Sequence, residues 1–506
     1  MKKTLFAATT ITLSIFLLVI TMSHAQSQGS SPSPTASPTP APIAIKAGRL
    51  LDVKTGKIAD NVFILIENHR VKSIGSAAPA GVPVIDLSSA FVMPGMVDCH
   101  AHILGDLSDQ SPGSSFRMSS AKKTLWGMKN LKGWLAQGFT TLRDAGEDDL
   151  GYGQLALRDA INSGWIEGPR MQSSGNYVSL NGGHGDSEDF IAPDQELPLR
   201  PNIADTVDEM ARAVRRDIKY GADWIKLMGT GGVADLTSDF KVQELSEEQM
   251  AKAVEVAHRA GKRVMVHAEG TDGIKAAVRA GVDTIEHGTM LDDEGAALMA
   301  QKGTWLVPTL YTFQHGVELG TTHGQDPISL AKTKEILSHQ QPAFTRALKA
   351  HLKIAVGIDD EPQYLPKELE ALVRGGMTPL QALQAATING AELLKWSDRI
   401  GTIEPGKFAD IIGIDGNPLQ DINAIEKVVF VMKDGVIIKN YVGANAALKN
   451  DRKASLTSCS PRLDITGPSL VVRLHHLRHW KSPQFATART PSPVRETRVL
   501  PGFAEF

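Results

Sequence analysis

Cysteine is almost missing from this chain: Cys99 and Cys459 are the only two in 506 residues. Two thiols so far apart exclude a fold that rests on a disulfide framework. A surplus of charge of either sign is missing too, the net value being −3. That removes any general electrostatic case for nucleic acid or an anionic membrane as partner. No charged side chain occurs from Gln26 to Pro42, and no cysteine directly follows the N-terminal apolar run, so the usual lipid attachment point is absent. What is present is an ordinary soluble globular composition, 42% hydrophobic, in a chain long enough for a large core and more than one domain.

The organisation follows from composition shifts. Lys2-Lys3, an apolar run from Leu5 to Met22 and Ser23-His24-Ala25 read as a signal peptide over 1–25, which predicts a secreted or periplasmic protein. An uncleaved anchor is the alternative, with a membrane tether as its consequence. Residues 26–42, rich in Ser and Pro, read as an extended disordered linker. Short β-like pieces occupy 43–90 and 398–445, and neither set makes a convincing sheet alone. Together they predict a small composite β-sandwich built from both flanks.

Between them, 91–397 alternates strand and helix signals. Strands are expected at 92–99, 140–143, 170–174, 224–227, 263–267, 284–287, 304–308 and 354–357. Helices are expected at 121–137, 206–220, 247–260, 273–280, 292–301, 332–352 and 378–394. Eight such units predict an α/β fold, a (β/α)8 TIM barrel, with a doubly wound sheet as the alternative. The basic tail, 446–506, reads as solvated disorder, with an anionic partner as the alternative. Its His475, His476 and His479 are expected to bind metal only adventitiously. Its abrupt change of character suggests sequence not selected with the fold, so a chain ending near residue 448 should keep its stability.

The chemistry starts at Asp98-Cys99-His100-Ala101-His102. Residues i and i+2 of a strand share a face, so His100 and His102 offer two imidazoles side by side. Cys99 points the other way and reads as a small buried apolar residue. Lys226 lies in the fourth expected strand, and His267, His287 and Asp359 end the fifth, sixth and eighth. Catalytic residues of a (β/α)8 barrel occupy the C-terminal strand ends. One such histidine is ordinarily structural; six polar residues converging on one end argue for a metal site. Lys226 is the odd member, since an ammonium repels a metal. Desolvated beside cations it shifts toward the neutral amine, which reacts with carbon dioxide to a carbamate able to bridge two metals. A lysine paired with a carboxylate is the alternative, but the flanking Ile225 and Leu227 favour the bridging role.

These residues sit in longer motifs: Pro94-Gly-Met-Val-Asp-Cys-His-Ala-His102, Ser179-Leu-Asn-Gly-Gly-His-Gly-Asp186, Ile225-Lys-Leu-Met-Gly-Thr-Gly-Gly232, Val266-His-Ala-Glu-Gly270, Ile285-Glu-His-Gly-Thr289, Val307-Pro-Thr309 and Gly401-Thr-Ile-Glu-Pro-Gly-Lys-Phe-Ala-Asp410. In combination, over about 43–445, the chain resembles the amidohydrolase superfamily. The likeness is to its imidazolonepropionase-like branch, with secreted Xaa-Pro and Xaa-Arg/Lys dipeptidases and ochratoxin-type amidases. The resemblance implies two divalent metals, foremost zinc, with His100, His102 and Asp359 on the more buried one and His267 and His287 on the other. Carboxylated Lys226 would bridge them together with a hydroxide. Asp359 would also be catalytic, taking the proton from the hydroxide and returning it to the leaving amine. His184, in its Gly-rich loop, would contact the substrate carbonyl or carboxylate; a loop-stabilising histidine is the alternative.

The eighth strand departs from the family pattern, which usually ends Gly-Thr-Asp before small residues and a Pro-His-Gly stretch. Here it reads Gly357-Ile-Asp-Asp-Glu-Pro362, which makes Asp360 a competitor for the place of Asp359. The extra carboxylates are expected to repel anionic substrates or favour a cationic group. The resulting expectation is an exported binuclear amidohydrolase of dipeptides or N-acyl amino acids, working on a small-molecule substrate without nucleic acid, as a homo-oligomer. Same-fold hydrolysis of a xenobiotic amide, lactone or ester is one alternative, and a metal-binding barrel impaired in catalysis is another. Side-chain preference would rest on loops at about 175–202 and 311–330.

Overall fold

The computed structural model describes residues 41–442 apart from Leu107, Asp189, Pro193, Glu196 and Leu197. The expected signal peptide, nearly all of the 26–42 linker and the tail 446–506 lie outside the described residues. The strands of the first flank are β1 (Ile43–Leu51), β2 (Ile58–Glu67), β3 (Arg70–Gly75) and β4 (Val84–Pro94). The middle carries β5 (Met96–Ala101), β6 (Phe139–Asp144), β7 (Arg170–Ser173), β8 (Tyr177–Val178), β9 (Trp224–Met228), β10 (Arg263–Ala268), β11 (Thr284–His287) and β12 (Trp305–Val307). The second flank adds β13 (Ile411–Ile414), β14 (Val428–Lys433) and β15 (Val436–Asn440).

Both flanks join one seven-stranded sheet, in the order β15-β14-β13-β4-β1-β2-β3. Its apolar face is made by Ile45, Ile64, Leu87, Val92, Ile411 and Phe430 among others, all buried. The sequence suggested one strand over 92–99, and here the structure differs. Pro94 has no N–H to continue a ladder. Gly95 packs so tightly that a Cβ there would stand 2.3 Å from Thr140 Oγ1. The run is therefore cut in two. Phe91–Pro94 pairs with β13 in the flank sheet, while β5 turns to β6 in a parallel sheet, so the flank extends past residue 90.

The middle region is parallel throughout, as β5-β6-β7 and as β12-β11-β10-β9-β8. Asp223 N donates to Ser173 O at 2.7 Å, beside the start of β9. The eighth expected strand, 354–357, forms no regular ladder beyond an isolated bridge of Ile354 to Leu306. Leu306 N donates to Lys353 O, Ala355 N to Leu306 O and Cys99 N to Val356 O, at 2.9, 3.1 and 2.7 Å. The helix expected over 378–394 is interrupted by a π-helical stretch, Ala385–Asn389. That widening lets Ala385 O accept from Val356 N and Asn389 Nδ2 donate to Ile354 O, so it serves the irregular segment.

Helices Val207–Tyr220 and Glu247–Arg259 begin where capping boxes Thr206/Glu209 and Ser246/Gln249 stand in the sequence. Helix Leu310–Leu319 falls where a loop was expected, and its start explains why. Thr309 is in the left-handed region and makes no side-chain cap. The cap comes from Glu368, 58 and 57 residues away, which accepts from Leu310 N at 3.0 Å and Tyr311 N at 2.7 Å. A tertiary cap leaves no local signal.

Candidate metal centre

His100 and His102 leave β5 on one face, and each is oriented by its Nδ1. That of His100 donates to Glu286 Oε2 at 2.7 Å; that of His102 donates to Gly146 O at 2.6 Å. An acceptor at Nδ1 fixes the hydrogen there and leaves the lone pair on Nε2. Arg143 Nη2 lies 2.9 Å from each Glu286 oxygen, and both residues are buried. His100 Nε2 is buried and has no hydrogen-bond partner. It lies 3.7 Å from Asp359 Oδ1, and His102 Nε2 lies 3.3 Å from the same oxygen. Two ligands about 2.0–2.1 Å from a tetrahedral zinc stand about 3.3–3.4 Å apart. The three donors therefore fit one shared cation.

Asp359 holds this place by its backbone. Its N donates to His100 O at 2.9 Å, and its O accepts from Thr312 Oγ1 at 2.8 Å. Asp360 turns away, its Oδ2 at 2.6 Å from His315 Nδ1. Asp359 faces the histidines and its neighbour does not. Burial pushes the Asp359 carboxyl up to about 7, with Lys226 opposing and Asp360 and Glu286 adding to the rise. His287, Thr309 and Asp359 have φ of 68°, 43° and 51°. Three successive segments thus end at this site in a conformation that costs L-residues about 1–3 kcal/mol each.

A second group gathers beside the first. His267, Glu269 and His287 each offer a ligand atom, all within 4.8 Å of one another. His267 Nε2 donates to Gly231 O at 3.1 Å, and His287 Nδ1 pairs with Thr309 Oγ1 at 2.7 Å. Burial is the main force holding His100, His267 and His287 well below the usual imidazole range and taking His102 to about 4. Neutral rings are what a metal requires. Lys226 contributes to all four shifts. It is 1% exposed, and among the described residues its amine forms no hydrogen bond or ion pair. Burial pushes its amine down to about 8 against the pull of Glu286 and Asp359.

His184 Nδ1 meets Asp235 Oδ2 at 2.7 Å, and its ring lies 4.3 Å from that of His267. Although Asp235 is largely buried, His184 and Ser238 hold its carboxyl well below the usual range. The loop around Asp235 is fastened by Lys332, whose Nζ reaches Asp235 O at 2.6 Å and Ser238 O at 2.8 Å. Cys99 packs on the far face with Val97 and Trp224, its thiol pushed up to about 12 by burial. His100, His102, His184, Lys226, Asp235, His267, Glu269, His287 and Asp359 line one cavity of about 680 Å³, which is within the range of small-molecule sites. Lys123 and Asp148 lie at its edge.

Sequence reasoning missed Glu269, Asp235 and the Arg143–Glu286 pair. Glu269 was within reach. It follows His267 by two residues, the same spacing that drew attention to His100 and His102. Asp235 and Arg143 carried no such mark, because their partners are far off in sequence.

Comparison with known proteins bears on this geometry. The model of the amidohydrolase family matches residues 91–444. Ochratoxinase of Aspergillus niger is 33% identical over 421 residues, covering 76% of this chain and 84% of its own. Imidazolonepropionase of Mesorhizobium japonicum is 24% identical, covering 71% and 86%. A crystal structure of a Xaa-Pro dipeptidase with methionine bound in the active site superposes with a TM-score of 0.74 at 32% identity, covering 79% of this chain and all of that one.

Proposed function

We propose, from the premise that the chain belongs to the amidohydrolase family, that it cleaves the amide bond of a dipeptide or N-acyl amino acid at a two-metal centre. That it is a hydrolase acting on carbon–nitrogen bonds follows from the family and its relatives. The observation that carries the finer reading is the pair of donor groups at one cavity. His100, His102 and Asp359 form one, and His267 and His287 belong to the other, with Lys226 felt electrostatically by all four histidines. Taking the short β8 together with β7, we read β5 to β12 and the segment 354–357 as the eight staves of a closed (β/α)8 barrel, supported by the backbone bonds at 173/223, 306/353 and 99/356.

His100, His102 and Asp359 would hold one cation. His267 and His287 would hold the other, and Lys226 as its carbamate would join them. The burial of Lys226, which shifts its amine toward the free form, supports that modification, because only the free amine adds to carbon dioxide, losing one proton as the anion forms. Zinc is the first choice for such a donor set. Bound cations would polarise the scissile carbonyl and lower the pKa of water. Asp359, whose Oδ1 faces His100 and His102, would take a proton at Oδ2 during attack and return it to the leaving nitrogen. His184, braced by Asp235, orients the substrate carbonyl or carboxylate. The N-terminal pattern of Lys2-Lys3, apolar run and Ala25 supports export to the periplasm or medium.

Similarity to ochratoxinase supports a second reading, a non-peptide amide, lactone or ester. Profiling the metal-loaded protein against dipeptides, N-acyl amino acids, lactones and esters separates the two. Turnover of other amides without any dipeptide or N-acyl amino acid would reject the first. Asp359→Asn should lower kcat by at least about 100-fold. If wild type were as inactive as Asp359→Asn and Lys226→Ala on every class, the catalytic assignment would fall.

A further inference from the structure

We propose that Glu269 is a direct ligand of the second cation, completing a His267–Glu269–His287 set. The inference rests on the two-metal reading above and goes beyond it by naming a donor that the reading does not use. His267 and Glu269 repeat at the end of β10 the i, i+2 arrangement of His100 and His102 at the end of β5. The Glu269 backbone is pinned on both sides. Its N donates to Thr230 Oγ1 at 3.0 Å, and its O accepts from Met290 N at 3.0 Å. Glu269, just past the end of β10, is therefore held between the residues after β9 and those after β11.

The carboxylate itself points to a cation. Glu269 is 0% exposed, and neither oxygen makes a well-formed hydrogen bond, although the Thr289 hydroxyl and backbone N–H are both near enough to act on its carboxyl. No lysine or arginine among the described residues forms an ion pair with it. Its ligand atom stands within 4.8 Å of those of two buried histidines. An unpaired carboxylate buried this deeply is unfavourable by several kcal/mol. Two imidazoles and one carboxylate are a donor set that suits zinc and similar divalent ions. Glu269 also lines the cavity shared with Lys226 and Asp359, so a cation held there faces that cavity.

The consequence is specific. With three protein donors of its own, the second cation does not depend on Lys226 alone for its anionic ligand. The test is metal content by mass spectrometry after dialysis, with chelator competition using zinc alone. The visible spectrum of the cobalt-loaded protein is recorded alongside. Wild type should hold two ions per chain. Glu269→Gln, of the same shape, should hold one tightly and the second at least about 100-fold more weakly, beyond the loss usual for an outer-shell group. Glu269→Asp, which keeps the charge and shortens the reach, should fall between them, and it covers the case in which the glutamine variant fails to fold. Two ions in Glu269→Gln or Glu269→Asp with the wild-type competition midpoint would overturn the assignment and leave the two-metal centre standing. Fewer than two ions in wild type would instead overturn the two-metal reading and this inference with it.

Discussion

Glu286 is the residue at which orientation, charge and metal binding can be separated. It accepts from His100 Nδ1 at 2.7 Å and is held by Arg143 through both oxygens at 2.9 Å, all without solvent exposure. Glu286→Gln keeps the volume and removes the negative charge. Arg143 then becomes a buried cation without a counter-charge, although its bonds to Cys99 O at 2.5 Å and Thr284 Oγ1 at 3.2 Å remain. Removing one partner of a buried pair costs about 3–5 kcal/mol. The amide also has no good orientation. With its NH2 toward His100, the ring must accept at Nδ1, so the hydrogen moves to Nε2 and blocks the lone pair facing Asp359. With its NH2 toward Arg143, donor meets donor. Loss of such an orienting group weakens metal binding by about 10–100-fold. Guanidinium unfolding of the metal-free protein reads the first effect, and chelator competition reads the second. Arg143→Met combined with Glu286→Gln removes both charges and should recover part of the stability without restoring the metal affinity. A single variant within about 0.5 kcal/mol of wild type, with unchanged metal affinity, would refute the reasoning.

Two further outcomes follow from the cap and from the Gly-rich loop. Burial raises the Glu368 carboxyl from 4.5 to about 8, against its two backbone donors. A raised acid contributes stability that is complete below its unfolded value and is lost as pH rises through the folded one. Wild type should therefore weaken between pH about 5 and about 8 more steeply than Glu368→Gln, as read by denaturant midpoints; parallel profiles would reject the assignment. At Gly232 a Cβ would stand 2.4–2.6 Å from the His184 ring. Gly232→Ala should displace that ring from Asp235, raise KM with little change in kcat, and lower stability by about 1–3 kcal/mol; an unchanged KM would show that the ring's position does not matter.

Strand parity made His100 and His102 legible from sequence, and the succession of expected strands pointed to Lys226, His267, His287 and Asp359, which the structure gathers at the same cavity although no regular strand precedes Asp359. Parity and order are local rules. Other features depend on partners that only folding brings together. Helix Leu310–Leu319 begins at a cap supplied by Glu368, so nothing near Thr309 announces it. Arg143 and Glu286 lie on β6 and β11, and neither residue alone distinguishes a site brace from a surface charge. The choice between Asp359 and Asp360 turned on backbone bonding to His100 and on the capture of Asp360 by His315, a residue in that same unforeseen helix. Pro94-Gly95 was visible as a dipeptide, but its effect, dividing one apolar run between two sheets, needed Thr140 beside it.

The seating of β4 between β1 and β13 also sets a schedule for synthesis on the ribosome. Phe91, Val92 and Met93 expose one ladder edge until Ile411–Ile414 arrives to cover it. Ribosomes add about 5–20 residues per second, so roughly 300 intervening residues keep that edge waiting for about 15–60 s. Through that interval a nascent chain displays an apolar strand edge, the kind of surface on which one chain templates another. Chaperone capture of the N-terminal third should therefore matter more to the yield of this protein than the stability of its finished fold.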